Sequence, residues 1–170
     1  SSEGVDTGEK IAHVGVNDSN PRVRCAAMVS LRKFAFPEIR NAIEQGTKDQ
    51  SSRVRAAAAV TLGKFNDKKA VNRLDELLQA DKDEEVRLAA ALALARCKSR
   101  ESAKKLVSSM KTNSSQVVQK QSMLLLLQGT GVSLRPEPDP RDKKLWARHM
   151  KQVMRYVDTT WGDESPEVRK

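Results

Sequence analysis

Long apolar runs are missing from this chain of 170 residues. The longest, Leu88 to Ala95, spans eight residues, whereas a helix that crosses a membrane needs about 20. No segment therefore reads as a transmembrane helix. Cysteine is scarce too. Cys25 and Cys97 cannot build a disulfide framework, and with two histidines they fall short of a self-sufficient zinc site. Aromatic residues make up 4 % of the chain, and both tryptophans and the sole tyrosine lie near its end, as Trp146, Tyr156 and Trp161. The N-terminus, Ser1-Ser2, has no initiator methionine and opens no signal-peptide pattern. The expectation is a processed or trimmed product. An exported precursor and an excised domain both fit, and a cytoplasmic setting is preferred.

Catalytic constellations are absent from the sequence as well. His13 and His149 are isolated from each other, and no His-Glu-x-x-His is present. There is no Gly-rich phosphate loop and no Gly-x-Ser-x-Gly elbow. The chain therefore reads as a non-enzyme with no metal and no cofactor. Asn17-Asp18-Ser19 and Asn113-Ser114-Ser115 spell glycosylation sequons, triplets that also arise by chance.

What the chain does have is positive charge. The net charge is +9 and the pI about 9.8; residues 1–134 carry +7 of it and residues 135–170 carry +2. A basic chain is drawn to acidic proteins, nucleic acid or anionic lipid.

It also has an internal repeat. Four segments align without gaps: Asp18 to Phe34, Asp49 to Phe65, Asp81 to Cys97, and Thr112 to Gln128. Their anchor valines, Val23, Val54, Val86 and Val117, are spaced 31, 32 and 31 residues apart. Arginine follows the first three (Arg24, Arg55, Arg87), and Val118 the fourth. Alanine pairs come next at Ala26-Ala27, Ala57-Ala58 and Ala89-Ala90, then leucine at Leu31, Leu62, Leu94 and Leu125. Apolar residues at 0, +3, +4, +8 and +11 from the valine follow a helical period. Shorter helices are expected between these, over about 6–16, 37–46, 68–79 and 100–111. One helix pair of about 31 residues cannot bury its own apolar face, so the pairs must stack.

The motif Asp-x4-Val-Arg-x-Ala-Ala-x3-Leu resembles the HEAT repeat, in the short bacterial form similar to the repeats of phycobilin lyases. The likeness covers about residues 6–128, with three good copies and one degenerate one. It implies an all-α fold, a right-handed α-solenoid of about four helix pairs over residues 1–134. It also implies that Asp18, Asp49 and Asp81 form a ladder with Arg24, Arg55 and Arg87 linking adjacent repeats. Thr112 and Val118 in the fourth copy would end that ladder.

Residues 135–170 break the pattern. Arg135-Pro136-Glu137-Pro138-Asp139-Pro140 reads as an extended connector after Gly129-Thr130-Gly131. A last helix is expected from Asp139 or Pro140 to about Thr160. Its apolar stripe, Trp146, Met150, Val153, Val157 and Trp161, faces away from a basic stripe, Lys144, Arg148, Lys151 and Arg155. The apolar stripe is expected to cap the last repeat by covering Leu124 to Leu127. Cys97 falls in the column of Phe34 and Phe65 and is read as core. Cys25 falls outside it, near Arg22, Arg24 and Arg32, as a candidate reactive thiol.

If the resemblance holds, the second helix of each pair lines the concave side. Its outward positions are then read as −1, +2, +5 and +9, with a flanking column at +10. The partner-binding candidates are Arg22, Met28, Arg32, Lys33, Arg53, Ala56, Ala59, Gly63, Lys64, Leu88, Ala91, Ala95 and Arg96. The expected function is a non-enzymatic scaffold holding an acidic or helical protein segment in that groove, as a monomer or as part of a larger protein. Two alternatives stay open: binding of a nucleic-acid phosphate backbone, and a role as accessory subunit of a lyase. Base-reading is disfavoured, because the face offers no tryptophan or tyrosine to stack on a base.

Overall fold

The computed structural model describes residues 2–34, 37–128 and 132–161. Among them are nine helices and no strand. In chain order these are α1 (Ser2–Asn17), α2 (Pro21–Leu31), α3 (Pro37–Gly46), α4 (Ser52–Leu62), α5 (Lys68–Ala80), α6 (Glu84–Cys97), α7 (Arg100–Thr112), α8 (Gln116–Leu127) and α9 (Lys143–Trp161). The side chain of Trp161, the Gly129–Gly131 part of the connector and residues 162–170 lie outside the described residues.

Local chemistry sets these boundaries. Asn20, Asp83 and Ser115 cap α2, α6 and α8 by accepting backbone N–H bonds, which satisfies donors that a helix start leaves unpaired. Ser99 and Ser102 form a capping box at α7. The last helix starts at Lys143, three or four residues later than the expected Pro140 or Asp139. Asp139 turns the chain by accepting from Arg141 N–H, and Asp142 then accepts from the N–H groups of Lys144 and Leu145 as the cap.

Consecutive helices pair as α1/α2, α3/α4, α5/α6 and α7/α8, and α9 packs on α7 and α8. The pairs stack through an unbroken row of even helices, each touching the next. In the odd row the backbones of α3 and α5 stand apart, and side chains bridge them: Lys69 Nζ to Glu44 at 3.1 Å and Arg73 Nε to Thr47 Oγ1 at 2.9 Å. The even row is the tight inner layer, and the odd row fans open as the outer one. One apolar cluster runs from Ala12 to Val157. Small residues let the inner helices approach. A Cβ on Gly63, which ends α4, would stand 3.0 Å from the Ala93 Cβ on α6. Column +4 (Ala27, Ala58, Ala90, Ser122) and column +8 (Leu31, Leu62, Leu94, Leu126) are buried throughout.

The arginine ladder links the repeats. Arg24 places Nε and Nη2 on the Asp49 carboxylate at 2.7 and 2.9 Å. Arg55 makes the same fork on Asp81 at 2.8 and 2.9 Å. Each arginine also donates Nη1 back to the aspartate carbonyl that begins its own repeat: Asp18 from Arg24, Asp49 from Arg55 and Asp81 from Arg87. The fork from Arg24 holds the Asp49 carboxyl below its ordinary range. For Asp81, burial pushes the other way, but the fork from Arg55 and the N–H of Asp83 leave it lowered.

The fourth copy corrects the gapless alignment. Helix caps place its counterparts at Asn113, Ser115, Val118 and Gln119, one residue later than Thr112, Val117 and Val118. Val118 is fully buried while Val117 is half exposed. The Asn113 side chain accepts from Ser115 N–H, as Asp81 accepts from Asp83. Gln119 donates Nε2 to the Asn113 carbonyl at 2.7 Å, in the manner of Arg55 with Asp49. The true spacing is 31, 32 and 32 residues, and Leu126, not Leu125, holds the leucine column. Amides replace both charged partners, so the ladder does end here. Asn113 is buried and its Nδ2 bonds the Leu78 carbonyl at 2.7 Å, a place that cannot accept a glycan.

The terminal helix packs against α7 and the leucine-rich α8. Val153 and Val157 are buried, and Trp146 and Met150 are half-buried. Leu126 and Leu127 are buried beneath the cap, while Leu124 and Leu125 stay partly open. His149, which the sequence leaves isolated, is 1 % exposed inside this contact.

Candidate functional site

The candidate site is the solvent-facing side of the inner row. Six of the expected residues stand there in the open: Arg22, Arg32, Lys33, Arg53, Lys64 and Arg96. Ala56, Gly63, Leu88 and Ala95 are half-buried on its flank. Met28, Ala59 and Ala91 are not on it. All three are 0 % exposed, so column +5 is a contact between neighbouring inner helices and offers nothing to a partner.

The cause is a rotation of the helix wheel. At about 100° per residue, the buried arc runs from 0 through +4, +8 and +1 to +5. The open arc is centred near +6 and −1. Column +6 reads Val29, Val60, Leu92 and Leu124, an apolar residue in every repeat. Val29 is 49 % exposed, and the other three are partly open. The sequence carried a signal for this column: four β-branched or leucine residues recur at one offset that the buried set does not need.

Charge borders this strip at both ends of the helices. Arg22 and Arg53 stand at −1, near the helix starts, with Glu85 and Val117 in the same column. Lys33, Lys64 and Arg96 stand at +10, near the helix ends, with Gln128. Eleven residues at about 1.5 Å rise separate the rows by roughly 16 Å. Cys25 lies on the same flank, half-buried, with Sγ 3.7 Å from the Arg53 carbonyl oxygen. Cys97 is buried as expected, and burial raises its thiol pKa. Phe34 and Phe65, in its column, are only half-buried. The Arg40 guanidinium covers the Phe65 ring at 5.0 Å, a favourable cation–π contact.

Lys144, Arg148, Lys151 and Arg155 are all exposed on the outer side of α9, away from the strip on the inner helices. A cleft of about 340 Å³ opens between the α6–α7 turn, α8 and α9, lined among others by Lys98, Ser99, Ser102, Gln128 and Tyr156. No carboxylate, histidine or cysteine lines it. Among the described residues, no group of three or more His, Cys, Asp or Glu side chains is placed to hold a metal. No described helix is long and apolar enough to cross a membrane.

Stacked helix pairs with an open inner face and an arginine ladder between repeats define an α-solenoid. The family model described as HEAT repeats matches residues 11–95 and 48–126, and the chain belongs to the HEAT-repeat family. The match is to HEAT repeats as a class and reaches no subgroup such as the phycobilin lyases. No curated protein matches the chain. Repeats of this family generally serve as protein-interaction scaffolds and are typically non-enzymatic.

Proposed function

We propose that the chain is a non-enzymatic scaffold whose inner face takes an acidic, amphipathic helix of a protein partner. The observation that carries this reading is column +6, an apolar side chain left open in each repeat, with cationic rows on both sides. The roughly 16 Å between those rows accommodates one helix, whose diameter is about 10–12 Å. Inner helices pack about 8–10 Å apart, and seven residues of a bound helix rise about 10.5 Å. A ligand helix would therefore place one apolar residue per repeat at a spacing of six to seven, with carboxylates flanking it toward Lys64 and Arg53. Burial of the apolar stripe would supply residence time, and the cationic rows would steer association.

Selection from a displayed library of helical peptides tests the reading. Enriched sequences should carry apolar residues at that spacing among Asp and Glu. Leu92→Asp should cut their affinity at least tenfold while circular dichroism stays unchanged, and Lys64→Glu should slow association and weaken its salt dependence. A library that enriches nothing, or peptides indifferent to Leu92→Asp, would refute it.

A further inference from the structure

The two edges of the solenoid differ in charge. Because the pairs are antiparallel, every turn from an even to an odd helix lies on one edge and every turn from an odd to an even helix on the other. On the first edge, residues 32–38, 63–69 and 96–101 hold eight cations and three carboxylates. On the second, residues 17–23, 47–54 and 80–86 hold four cations and six carboxylates. The carboxylates of the first edge are partly engaged: Arg40 of α3 binds Asp67 through both guanidinium nitrogens. Lys33, Lys64, Lys68, Arg96, Lys98 and Arg100 are exposed along it.

Helix stability explains only half of this row. Lys33, Lys64 and Arg96 sit at or just beyond helix C-termini, where the helix dipole favours positive charge. Lys68 and Arg100 open α5 and α7, at the N-terminal ends, where the dipole disfavours it. Lys68 and Lys69 occupy the first turn of α5, behind the Asp67 carboxylate that caps it, and Lys69 pairs with Glu44. Each helix start on this edge thus has one carboxylate of its own, Glu38, Asp67 or Glu101, and the eight cations exceed these by five, an excess that a polyanion would offset.

We propose that this edge docks on the phosphate backbone of a double-stranded nucleic acid, independently of what the inner face binds. Repeats about 8–10 Å apart present one cationic cluster for roughly every three base-pair steps, which advance about 10 Å. The row is mostly lysine, which meets phosphate as a point charge and needs no fixed fork. A lipid surface fits less well: the exposed large apolar residues among those described, Val23, Val29 and Val117, are on other faces. Such docking reads no sequence, since phosphate contacts position without specifying.

Fluorescence anisotropy with a random-sequence 24-base-pair duplex tests this. The wild-type chain should bind at low salt, with log affinity falling linearly in log salt, by about 0.9 per phosphate neutralised. The triple variant Lys68→Gln, Lys98→Asn, Arg100→Gln should weaken binding at least tenfold and flatten that slope by two to three. Asparagine is chosen at 98 because Lys98 has a left-handed backbone, φ 46°, which it tolerates. A charge-matched control on the opposite edge, Lys48→Gln, Lys82→Gln, Lys111→Gln, all exposed, should bind within about twofold of wild type. Circular dichroism checks that both variants fold. The proposal is overturned if the duplex does not bind at 50 mM salt, or if both variants lose equally. It is also overturned if polyglutamate or phosphatidylserine vesicles compete as well as unlabelled duplex at equal charge. The peptide selection is decided by Leu92→Asp, while the duplex test changes Lys68, Lys98 and Arg100, which the inner-face reading does not use, so the two readings fail separately.

Discussion

Arg24 and Arg55 each close a fork on the aspartate of the next repeat, and Arg87 does not. Its counterpart is Asn113, whose amide turns to the Leu78 carbonyl. The Arg87 Nε is left buried without a hydrogen bond, and Arg87 Nη2 stands 3.9 Å from Glu84 Oε2. A buried donor left unpaired costs about 1–3 kcal/mol. Asn113→Asp should supply the missing rung, offset in part by loss of the bond to Leu78. We expect a net gain of about 1 kcal/mol, or roughly 2–4 °C in melting temperature for a chain of this size. The gain should vanish when Arg87→Ala is added, and a fall in melting temperature would show that the Leu78 bond matters more. The converse holds one repeat earlier. Arg55 and Asp81 have side chains 8 and 7 % exposed, so Arg55→Ala should lower stability by about 1.5–3 kcal/mol, read by urea unfolding.

Of the nine helices, α9 shows best how far sequence reasoning reaches. Its apolar stripe and its covering of α8 are legible because one amphipathic helix follows one all-apolar helix, and only one arrangement hides both. His149 was not legible as a core residue, because a lone histidine carries no sign of its burial. Neither ring nitrogen has a hydrogen-bond partner of good geometry, although the backbone of Arg135 lies close enough to oppose part of the shift. Burial, helped by the charge of Arg148, lowers the pKa below the ordinary 6.5. Above pH 6.5 both folded and unfolded rings are neutral and stability is unaffected. Below it the unfolded chain takes up a proton that the folded chain refuses, and stability falls. The carboxylates add a separate limb. Asp67, held by Arg40, titrates at about 2 against 3.8 unfolded, and Asp49 and Asp81 shift the same way. Their contribution is complete above the unfolded value and disappears as pH falls from about 4 toward 2. Stability should therefore drop in two stages on acidification. His149→Leu should remove the stage that sets in as pH falls through about 6.5 and leave the lower one, and a single-stage profile in the wild type would contradict the assignment.

Across the stack, the repeat period made the architecture readable, while the orientation of its inner face was not. The buried set includes +5, where Met28, Ala59 and Ala91 touch a neighbouring helix, and no single repeat reveals which flank its neighbour will cover. The same reasoning bears on how the stack comes apart. Solenoid stability is close to a sum of repeat terms and nearest-neighbour contacts, so a missing rung weakens one junction specifically. That junction joins α5–α6 to α7–α8, with α9 held only by α7 and α8. Inner helices α4 and α6 have neighbours on both sides and share the most buried rung, Arg55 with Asp81. Native-state hydrogen exchange should accordingly show the highest protection in α4 and α6, with α7, α8 and α9 opening together at a lower free energy. Removing residues 139–170 uncovers Leu126 and Leu127 and should leave a chain that aggregates or melts much lower. Asn113→Asp should raise protection in α7, α8 and α9 and leave α1 and α2 unchanged, since they lie two junctions away. Uniform exchange along the chain, or a rise spread equally over all helices, would mean that the stack unfolds as one unit and that the broken rung does not divide it.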